Sequence, residues 1–374
     1  MINFAGLFLL KGGIDMHQSF MMAAIEEAKK GKGNTFTNPL VGAAIVKEGK
    51  LLSLGAHLQY GESHAEVNAI QNCDSPEELF NSTLYVTLEP CNHQGKQPPC
   101  TQAIIQSGIS TVVIGQLDPN PLVAGKGKGK EFLQKHGIKV IVGVEEEKCR
   151  ALNPFYNHFF ERDRPYITLK QAITLDGKIS LKEGSRYSIT GTEAISRVRK
   201  ERGEHQGIVV GSETVLVDNP ILLPDIVTNF PPVRIVLDRR GRILKNPKLN
   251  LFQTTTNPVW IFTENPKLKE LFPHVTIFYT PKFSFTFFIE TMRKRGVQSL
   301  YIEGGAKIHD AFLAENLWDE VISYIAPKLF GGNSPMSFHS ERLVSKEQQL
   351  VFLEVEQLGK DIRVRGKRKQ CSQD

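Results

Sequence analysis

The sequence has no apolar run that approaches the roughly 20 residues of a membrane-spanning helix, which argues against a membrane protein. Cysteine is scarce: five residues, an odd number without framework spacing, argue against a disulfide-stapled secreted protein and favour a cytoplasmic one. A strong excess of one charge is also missing, because 46 basic and 40 acidic residues leave a net charge of +6. This mild charge favours an anionic small molecule as the partner, rather than nucleic acid or a membrane surface.

The length of 374 residues predicts two domains. Strand and helix patterns alternate in both halves, which predicts two α/β units, and neither unit repeats the other. The charged and aromatic segment between them is predicted to be a helical linker. We expect an extension over residues 1–15, a first domain over 16–145, the linker over 146–164, a second domain over 165–366 and a basic tail over 367–374.

The N-terminal extension contains an apolar stretch from Phe4 to Leu10. No basic region precedes this stretch and no small-residue cleavage site clearly follows it, so a signal peptide is the minor alternative. We expect a short disordered tail, or an extension that arises from an upstream start codon with Met16 as the alternative start.

One His and two Cys with an adjacent Glu form the most informative pattern of the chain. His64-Ala65-Glu66 is followed by Pro90-Cys91 and then by Pro99-Cys100. One His and two Cys can hold a zinc ion and leave one tetrahedral position open for water, whose pKa the metal lowers toward neutrality. His-x-Glu followed by Pro-Cys is the pattern of zinc deaminases, in which the Glu moves protons without binding the metal. The pattern predicts His64, Cys91 and Cys100 as zinc ligands and Glu66 as the catalytic residue.

Two alternatives to a small-molecule deaminase stay open at this point. A non-enzymatic, structural zinc site has four protein ligands, and His93 between the two Cys would be able to close the site. A non-ligating Glu has no role there, which favours catalysis. A nucleic-acid-editing deaminase predicts two Cys separated by two residues and a basic, aromatic-rich stripe, but here eight residues separate the Cys and no such stripe occurs.

Longer stretches around these residues resemble the bifunctional riboflavin-biosynthesis family, in which a pyrimidine deaminase is fused to a pyrimidine reductase. The resemblance covers nearly the whole chain, from about residue 17 to residue 365. In the first half it depends on the stretches NPLVGAAIVKEG (38–49), GESHAEVNAI (61–70), VTLEPCNHQGKQPPC (86–100) and DPNPLVAGKG (118–127). In the second half it depends on LKQAITLDGKIS (169–180), VGSETVLVDNP (210–220), RIVLD (234–238), IEGGAKIHDAFL (302–313) and YIAPKLFGG (324–332).

The resemblance implies the fold, the cofactors and the partners. It implies an α/β protein, with an N-terminal cytidine-deaminase-like three-layer domain and a C-terminal dihydrofolate-reductase-like domain. One zinc ion per chain and NADPH are the implied cofactors. A phosphorylated pyrimidine is the implied substrate, and a homo-oligomer, either a dimer or a tetramer, is expected.

In the deaminase half, the resemblance implies that the substrate is contacted by Asn38, His93, Lys96, Asp118 and Asn120. A phosphate on the ribose of the substrate would explain the cation at Lys96. Ordinary alternatives exist for these residues: Asn38 as a loop residue, Asp118 and Asn120 as turn formers in Asp-Pro-Asn-Pro, and Lys96 as a solvated side chain.

In the reductase half, the resemblance implies two sets of contacts. The cofactor set is Ala172, Thr214, Asp218, Arg239, Gly304, Gly305 and Ala306, and the substrate set includes Lys170, Arg202, Leu222 and Glu303. A Gly pair before a helix lets backbone N–H groups approach a pyrophosphate, and Arg239 or Arg240 after a strand would pair with the 2′-phosphate of NADPH. The ordinary alternatives are a tight turn for the Gly pair and a charged turn for the two Arg.

The reductase half departs from the family pattern in two places. After Gly184 the family often has a Trp, where this chain has Arg186 and Tyr187. After Asn219-Pro220 the family commonly has an Arg that helps to hold the substrate, where this chain has Asp225 nearby. A carboxylate would repel a phosphate, so we predict that Arg186 compensates and belongs to the substrate set. An active deaminase with an impaired reductase is the second hypothesis.

Overall fold

The computed structural model describes residues 16–93, 98–121, 129–225, 229–268, 272–344 and 347–369. The chain divides after Glu161 into two compact units, each with its own sheet. Residues 1–15, for which the sequence predicts an extension, lie outside the described ranges. None of the helices that the structure describes is long and apolar enough to cross a membrane.

The first unit contains a five-stranded sheet with the order β2-β1-β3-β4-β5. β1 pairs antiparallel with β2 and β3, whereas β3, β4 and β5 run parallel. The strands are β1 (Gly42–Lys47), β2 (Lys50–Ala56), β3 (Thr83–Leu88), β4 (Thr111–Gln116) and β5 (Lys139–Val142). The helices are α1 (Met16–Ala28), α2 (Ala65–Gln71), α3 (Cys100–Gln106), α4 (Gly129–Lys135), α5 (Glu146–Leu152) and α6 (Pro154–Arg162).

Apolar residues on both faces of this sheet form two cores, because successive side chains of a strand point to opposite faces. One core joins the sheet to α2 and α3 through Ala43, Ile45, Leu84, Val86, Ala65, Ala69 and Ile104. The other core joins it to α1 through Ala44, Val46, Tyr85, Phe20, Met21 and Ala24. The expected three-layer α/β fold of the first domain is therefore confirmed.

Helix α2 lies close against the sheet at Gly55 of β2. A Cβ at this position would lie 2.2 Å from the backbone N of Ala69 and 2.4 Å from the backbone O of Ala65. No side chain fits into such a gap, so the glycine determines how near α2 lies to the sheet. The N-terminus of α2 carries the predicted His ligand and the predicted catalytic Glu.

The second unit contains a nine-stranded sheet with the order β10-β9-β8-β7-β11-β6-β12-β14-β13. The first seven strands in this order are parallel, and β14 and β13 add antiparallel at one edge. The strands are β6 (Tyr166–Thr174), β7 (Gly207–Gly211), β8 (Val233–Leu237), β9 (Val259–Thr263), β10 (Val275–Tyr279), β11 (Ser299–Ile302), β12 (Glu320–Ala326), β13 (Leu350–Leu358) and β14 (Asp361–Arg368). The helices are α7 (Thr192–Glu204), α8 (Ser212–Asp218), α9 (Asn250–Gln253), α10 (Phe285–Lys294) and α11 (Ala306–Ala314).

Strand β14 corrects the prediction of a basic tail from residue 367, because Lys367 and Arg368 lie within this strand. Two preceding basic residues of the same strand are paired with carboxylates. Arg363 is only 3% exposed, and its Nη2 lies 2.7 Å from Oε1 of Glu201. Arg365 Nε lies 2.5 Å from Oε1 of Glu320. Glu201 and Glu320, which pair with Arg363 and Arg365, are distant in sequence. The composition of the basic segment alone therefore could not predict this pairing.

Candidate active site

Three predicted zinc ligands meet at one end of the first sheet. His64 directly precedes α2, Cys91 follows β3, and Cys100 is the first residue of α3. His64 Nδ1 lies 3.1 Å from Cys100 Sγ and 3.5 Å from Cys91 Sγ, and the two sulfur atoms are 3.4 Å apart. Zinc bonds of roughly 2.0–2.3 Å in a tetrahedron place the donors about 3.5 Å apart, so the three residues fit a zinc ion.

Within the described residues, the cluster offers three donors and no fourth. Among the residues that the structure describes, only His64, Cys91 and Cys100 form a group of His, Cys, Asp or Glu donors able to hold a metal. His93, the candidate for closing the site, does not belong to this group, and its Nδ1 is buried without a hydrogen-bond partner in the described part of the chain. Three protein ligands leave a coordination position for water, as in catalytic zinc sites.

Glu66 lies in the first turn of α2, two residues after His64, and is only 3% exposed. Burial raises the pKa of its carboxyl to about 6, against the opposing effect of His64. A carboxyl group with a pKa near neutrality can both accept and donate a proton at physiological pH. The position and the pKa of Glu66 fit its predicted role as the proton carrier.

His57 is a residue of this site that the sequence analysis did not single out. It directly follows β2, its Nδ1 lies 3.1 Å from the backbone O of Ser63, and its Nε2 lies 3.2 Å from Nδ2 of Asn38. The His57 ring lies 5.4 Å from the His64 ring. If Nδ1–H donates to Ser63, Nε2 accepts from the Asn38 amide and orients it. A His at the end of a strand beside the metal-binding helix was the available signal.

Asp118 follows β4 and is held by several hydrogen bonds. Its Oδ1 accepts from the backbone N of Asn120 and from the Tyr156 hydroxyl, each at 2.9 Å. The Asn120 bond is the turn that the ordinary alternative predicts. Burial raises the pKa of the Asp118 carboxyl to about 6, although these two hydrogen bonds lower it. Buried Glu89 supports the same region, because it accepts from the backbone N of Asp118 at 3.3 Å and from that of Lys130 at 3.0 Å.

Lys96, the predicted partner of a substrate phosphate, lies outside the described residues. His93 immediately precedes this gap in the described chain. The predicted contacts of Lys96 therefore stay a prediction.

In the second unit, three residues of the predicted substrate set come together. Arg202 of α7 donates to Glu303 from Nε at 2.6 Å and from Nη2 at 2.9 Å, and Nζ of Lys170 on β6 lies 3.6 Å from Oε2 of Glu303. Burial would raise the pKa of Glu303, but Arg202 and Lys170 outweigh this effect and lower the pKa to about 2. Burial also lowers the pKa of Lys170. The cluster is a buried carboxylate that directly follows β11, between a cation from the middle of β6 and one from α7.

The predicted cofactor residues lie at the ends of two neighbouring parallel strands. Gly305 caps α11 after β11, and Thr214 lies on α8 after β7. Among the described residues beyond its chain neighbours, a Cβ built on Gly305 would meet only the hydroxyl oxygen of Thr214, at 3.9 Å. The space beside Gly305 is thus open, whereas a Cβ on Gly304 would lie 2.5 Å from Ile308 of α11. The open space adjoins two helix N-termini at the sheet edge where nucleotides bind in such folds. These residues fit NADPH.

The remaining predicted reductase residues are placed as follows. Ala172 lies on β6 and pairs with Tyr324 of β12, and Ala306 is the first residue of α11. Asp218 is the last residue of α8. Burial raises the pKa of the Asp218 carboxyl, and the positive charge of Arg186 opposes this effect. Arg239 pairs with Glu264, with 3.0 Å between Nε and Oε1. Leu222 is buried in a core cluster and has a φ of 58°, so a ligand would meet its backbone rather than its side chain.

The two departures from the family pattern have visible partners. Asp225 is paired with Arg199 of α7, with 3.4 Å between Oδ1 and Nη1. The negative charge that would repel a phosphate is therefore partly offset by a cation other than Arg186. Tyr187 packs edge-on against Phe330, with 5.2 Å between ring centroids, and Lys328 Nζ lies 5.2 Å from the Tyr187 ring centroid.

Known families match both units. Residues 14–116 match the cytidine and deoxycytidylate deaminase zinc-binding region, and residues 165–364 match the RibD C-terminal domain. The fold and the sites thus define a zinc-dependent deaminase joined to an NADPH-dependent reductase. The riboflavin biosynthesis protein RibD of Bacillus amyloliquefaciens is 39% identical over 93% of this chain and 95% of its own length. The chain belongs to the RibD family of bifunctional riboflavin-biosynthesis enzymes.

Other relatives agree with this assignment. RibD of Aquifex aeolicus is 39% identical over 93% of this chain and 97% of its own length. The structure of Acinetobacter baumannii RibD has a TM-score of 0.86 at 34% identity and covers 95% of this chain and 99% of that one. A Thermotoga maritima structure, described as a diaminohydroxyphosphoribosylaminopyrimidine deaminase/5-amino-6-(5-phosphoribosylamino)uracil reductase, has a TM-score of 0.84 at 37% identity, with 95% and 99% coverage.

Proposed function

We propose that the first unit hydrolytically removes an amino group from a phosphoribosylamino-diaminopyrimidine, and that the second unit then reduces the ribosyl side chain to a ribityl chain with NADPH. The observation that carries this proposal is the three-ligand cluster of His64, Cys91 and Cys100 beside buried Glu66. The Thermotoga maritima relative is a diaminohydroxyphosphoribosylaminopyrimidine deaminase/5-amino-6-(5-phosphoribosylamino)uracil reductase, which supports this choice of substrates.

For deamination, His64, Cys91 and Cys100 would hold the zinc ion, which when bound lowers the pKa of a water molecule toward neutrality. The Glu66 carboxylate accepts a proton from the attacking water. It returns that proton to the ring nitrogen beside the carbon that loses its amino group, and then assists the departure of ammonia. Burial of Glu66 keeps bulk water from exchanging these protons.

The substrate is held by Asn38, His93, Lys96, Asp118 and Asn120. The amide of Asn38 is oriented by its 3.2 Å contact with His57, which we add to this set. Asp118 has one carboxylate oxygen engaged by Tyr156 and Asn120, and its other oxygen can accept from the pyrimidine. Lys96 pairs with the ribose phosphate.

For reduction, NADPH supplies a hydride to the anomeric carbon of the sugar. Thr214, Asp218, Ala172, Arg239 and the turn at Gly304-Gly305-Ala306 hold the cofactor. Lys170 donates a proton to the ring oxygen that the anomeric carbon releases, since burial lowers the pKa of its ammonium group and makes it a stronger acid. Arg202 fixes Glu303, which keeps Lys170 in place at 3.6 Å. Arg186 and the Leu222 backbone complete the substrate contacts.

Mass spectrometry of the product tests both steps. Purified, zinc-loaded protein is incubated with the phosphoribosylamino-diaminopyrimidine, first without and then with NADPH. We expect the exchange of one amino group for oxygen without NADPH, and a gain of two hydrogens when NADPH is added. Deamination without any reduction would favour the second candidate function, a deaminase with a silent reductase unit, which Asp225 at the place of the usual Arg motivates.

The role of Arg186 has its own test. Arg186→Ala is expected to raise the KM of reduction, because a cation near Asp218 and the substrate is lost. Arg199→Ala, which removes the partner of Asp225, serves as the comparison. If only Arg199→Ala raises this KM, the compensating cation is Arg199 and Arg186 has no role in substrate binding.

We also propose a homo-oligomer that forms through β13. This strand ends the second sheet, and Val351, Phe352 and Val355 on it are each at least 50% exposed. An apolar edge strand is a template for pairing, and antiparallel pairing with the same strand of a second copy gives a symmetric dimer. Light scattering tests this: Phe352→Lys with Val355→Lys should give a monomer, while Leu343→Lys, a change at an exposed loop residue, should not.

The cysteines support a cytoplasmic location. Cys73, Cys91, Cys100 and Cys149 are all free, and the sulfur atoms of Cys91 and Cys100 lie only 3.4 Å apart. An oxidising compartment would join such a pair and remove two zinc ligands, whereas the reducing cytoplasm preserves them. Cell fractionation with an antibody against the protein tests this, and recovery from the periplasm or medium would contradict it.

A further inference from the structure

Asn153, between α5 and α6, makes two hydrogen bonds to a single residue that lies 113 positions earlier in the sequence. Its Oδ1 accepts from the backbone N of Leu40 at 2.7 Å, and its Nδ2 donates to the backbone O of Leu40 at 2.8 Å. Asn153 is buried. Leu40 is separated from Asn38 by Pro39 alone, whose fixed φ leaves little freedom between the two. The side chain of Asn153 thus fixes the backbone that carries Asn38.

One turn further on, α6 makes a second set of contacts. Oδ1 of Asn157 accepts from Nε2 of Gln116 at 2.7 Å, and Nδ2 of Asn157 donates to Oε1 of Gln116 at 3.3 Å. Both residues are buried. The Tyr156 hydroxyl donates to Oδ1 of Asp118 at 2.9 Å, two residues after Gln116. The helix therefore fixes both the end of β4 and the carboxylate that follows it.

These contacts come from one short stretch of chain. Asn153, Tyr156 and Asn157 are spaced i, i+3 and i+4, so they share one side of the α6 N-terminal turn. The two family models match residues 14–116 and 165–364, and this stretch lies in neither. From its sequence alone, this stretch is predicted to be part of a linker. Its side chains instead form hydrogen bonds to the two segments that carry Asn38 and Asp118.

We propose that Asn153, Tyr156 and Asn157 are positioning residues of the deaminase site, which set the distance and orientation between Asn38 and Asp118. This inference rests on the proposed function, because it takes Asn38 and Asp118 as substrate-binding residues. None of the hydrogen bonds described above for these residues involves a zinc ligand or Glu66. Their loss should weaken substrate binding and leave metal binding intact.

The experiment measures deamination by the full-length, zinc-loaded protein with the phosphoribosylamino-diaminopyrimidine as substrate. Tyr156→Phe removes only the hydroxyl that holds Asp118, and Asn153→Ala removes both bonds to Leu40. We expect each variant to raise KM about tenfold while kcat stays within about threefold, as expected for lost ground-state positioning. Asn153→Asp, which keeps the acceptor for the Leu40 N–H, should lie between Asn153→Ala and the wild type.

Two control variants each lose a similar hydrogen bond that does not involve the segments carrying Asn38 and Asp118. They show whether the loss of such a bond anywhere in the protein is enough to change the KM of deamination. Tyr166→Phe removes a Tyr–carboxylate bond of 2.8 Å to Glu320 in the second unit. Asn72→Ala removes another Asn that follows a helix and donates to a backbone carbonyl, here that of Leu54 at 2.9 Å. Both should leave the KM of deamination unchanged. Zinc content and reductase activity are measured for every variant and should match the wild type.

An unchanged KM in both Tyr156→Phe and Asn153→Ala would overturn the inference. So would a parallel loss of zinc, kcat and melting temperature in both variants, since that pattern belongs to a general stabilising role. Asn38→Ala and Asp118→Asn separate this failure from that of the proposed function. If these two leave KM unaltered, the assignment of the substrate residues is wrong. If they raise KM but the α6 variants do not, only the present inference is wrong.

Discussion

Arg202 and Glu303 form a paired, two-pronged hydrogen bond in the reductase unit, with Nε 2.6 Å from Oε1 and Nη2 2.9 Å from Oε2. This geometry is the strong form of an Arg–carboxylate contact. The contact keeps the buried carboxylate of Glu303 ionised. Nζ of Lys170 also lies 3.6 Å from this carboxylate. The pair therefore stabilises this unit and, in the function proposed above, also positions Lys170.

Removing Arg202 should destabilise the second unit. Arg202→Ala leaves Glu303 buried with Lys170 alone, and we expect a loss of about 3 kcal/mol in the free energy of unfolding. Arg199→Ala on the same helix breaks an exposed pair with Asp225 and should cost at most about 1 kcal/mol. Both tryptophans, Trp260 and Trp318, lie in the second unit, so urea unfolding followed by tryptophan fluorescence reports on it. Equal losses in the two variants would contradict this prediction.

Glu66→Gln should keep the zinc ion and abolish deamination, because the amide preserves the shape of the side chain but cannot carry the proton. Metal analysis and a deamination assay check the two halves of this prediction. Cys100→Ala should instead lose zinc and destabilise the first unit, since metal binding is coupled to folding. Cys73→Ala is the matched control, because Cys73 is buried outside the metal cluster. Loss of zinc from Glu66→Gln would mean that Glu66 is itself a ligand.

Acid should destabilise the reductase unit through His309. This residue is buried with Nε2 3.1 Å from the backbone O of Ile302, and burial lowers its pKa to about 4. Between pH 6.5 and 4 the unfolded chain binds a proton at this position that the folded chain does not, so stability falls as pH falls. Between pH 7 and pH 5 this amounts to about 2 kcal/mol. In His309→Gln the urea midpoint should therefore fall less over this range than in the wild type, and an equal fall would sink the prediction.

NADPH should be preferred over NADH, and Arg239→Ala should reduce this preference about tenfold by removing a cation for the 2′-phosphate. Arg239 is already paired with Glu264 at 3.0 Å, so the phosphate has to compete with that carboxylate. Glu264→Gln should consequently strengthen the preference for NADPH. Steady-state rates with both cofactors measure this. Equal use of NADPH and NADH by the wild type would exclude the proposed role of Arg239.

The zinc cluster was predictable from sequence because His64, Cys91 and Cys100 belong to short motifs that begin or end local elements. The three-layer fold was predictable from alternating strands and helices. The contacts of Arg363 with Glu201 and of Asn153 with Leu40 were not, because they join residues 162 and 113 positions apart. His57 was missed for a related reason: its role depends on a contact with Asn38 that only the folded sheet creates.

The two bonds between Asn153 and Leu40 also bear on how a bifunctional chain of this kind can be divided during evolution. A deaminase gene that ended at residue 145 would lose Asn153 and Tyr156, which anchor the loop that carries Asn38 and the carboxylate of Asp118. A viable cut has to follow residue 161, where the compact unit ends. Free-standing deaminases descended from such a fusion should therefore carry a two-helix extension after their last strand, or should have replaced Asn153 and Tyr156 by other anchors.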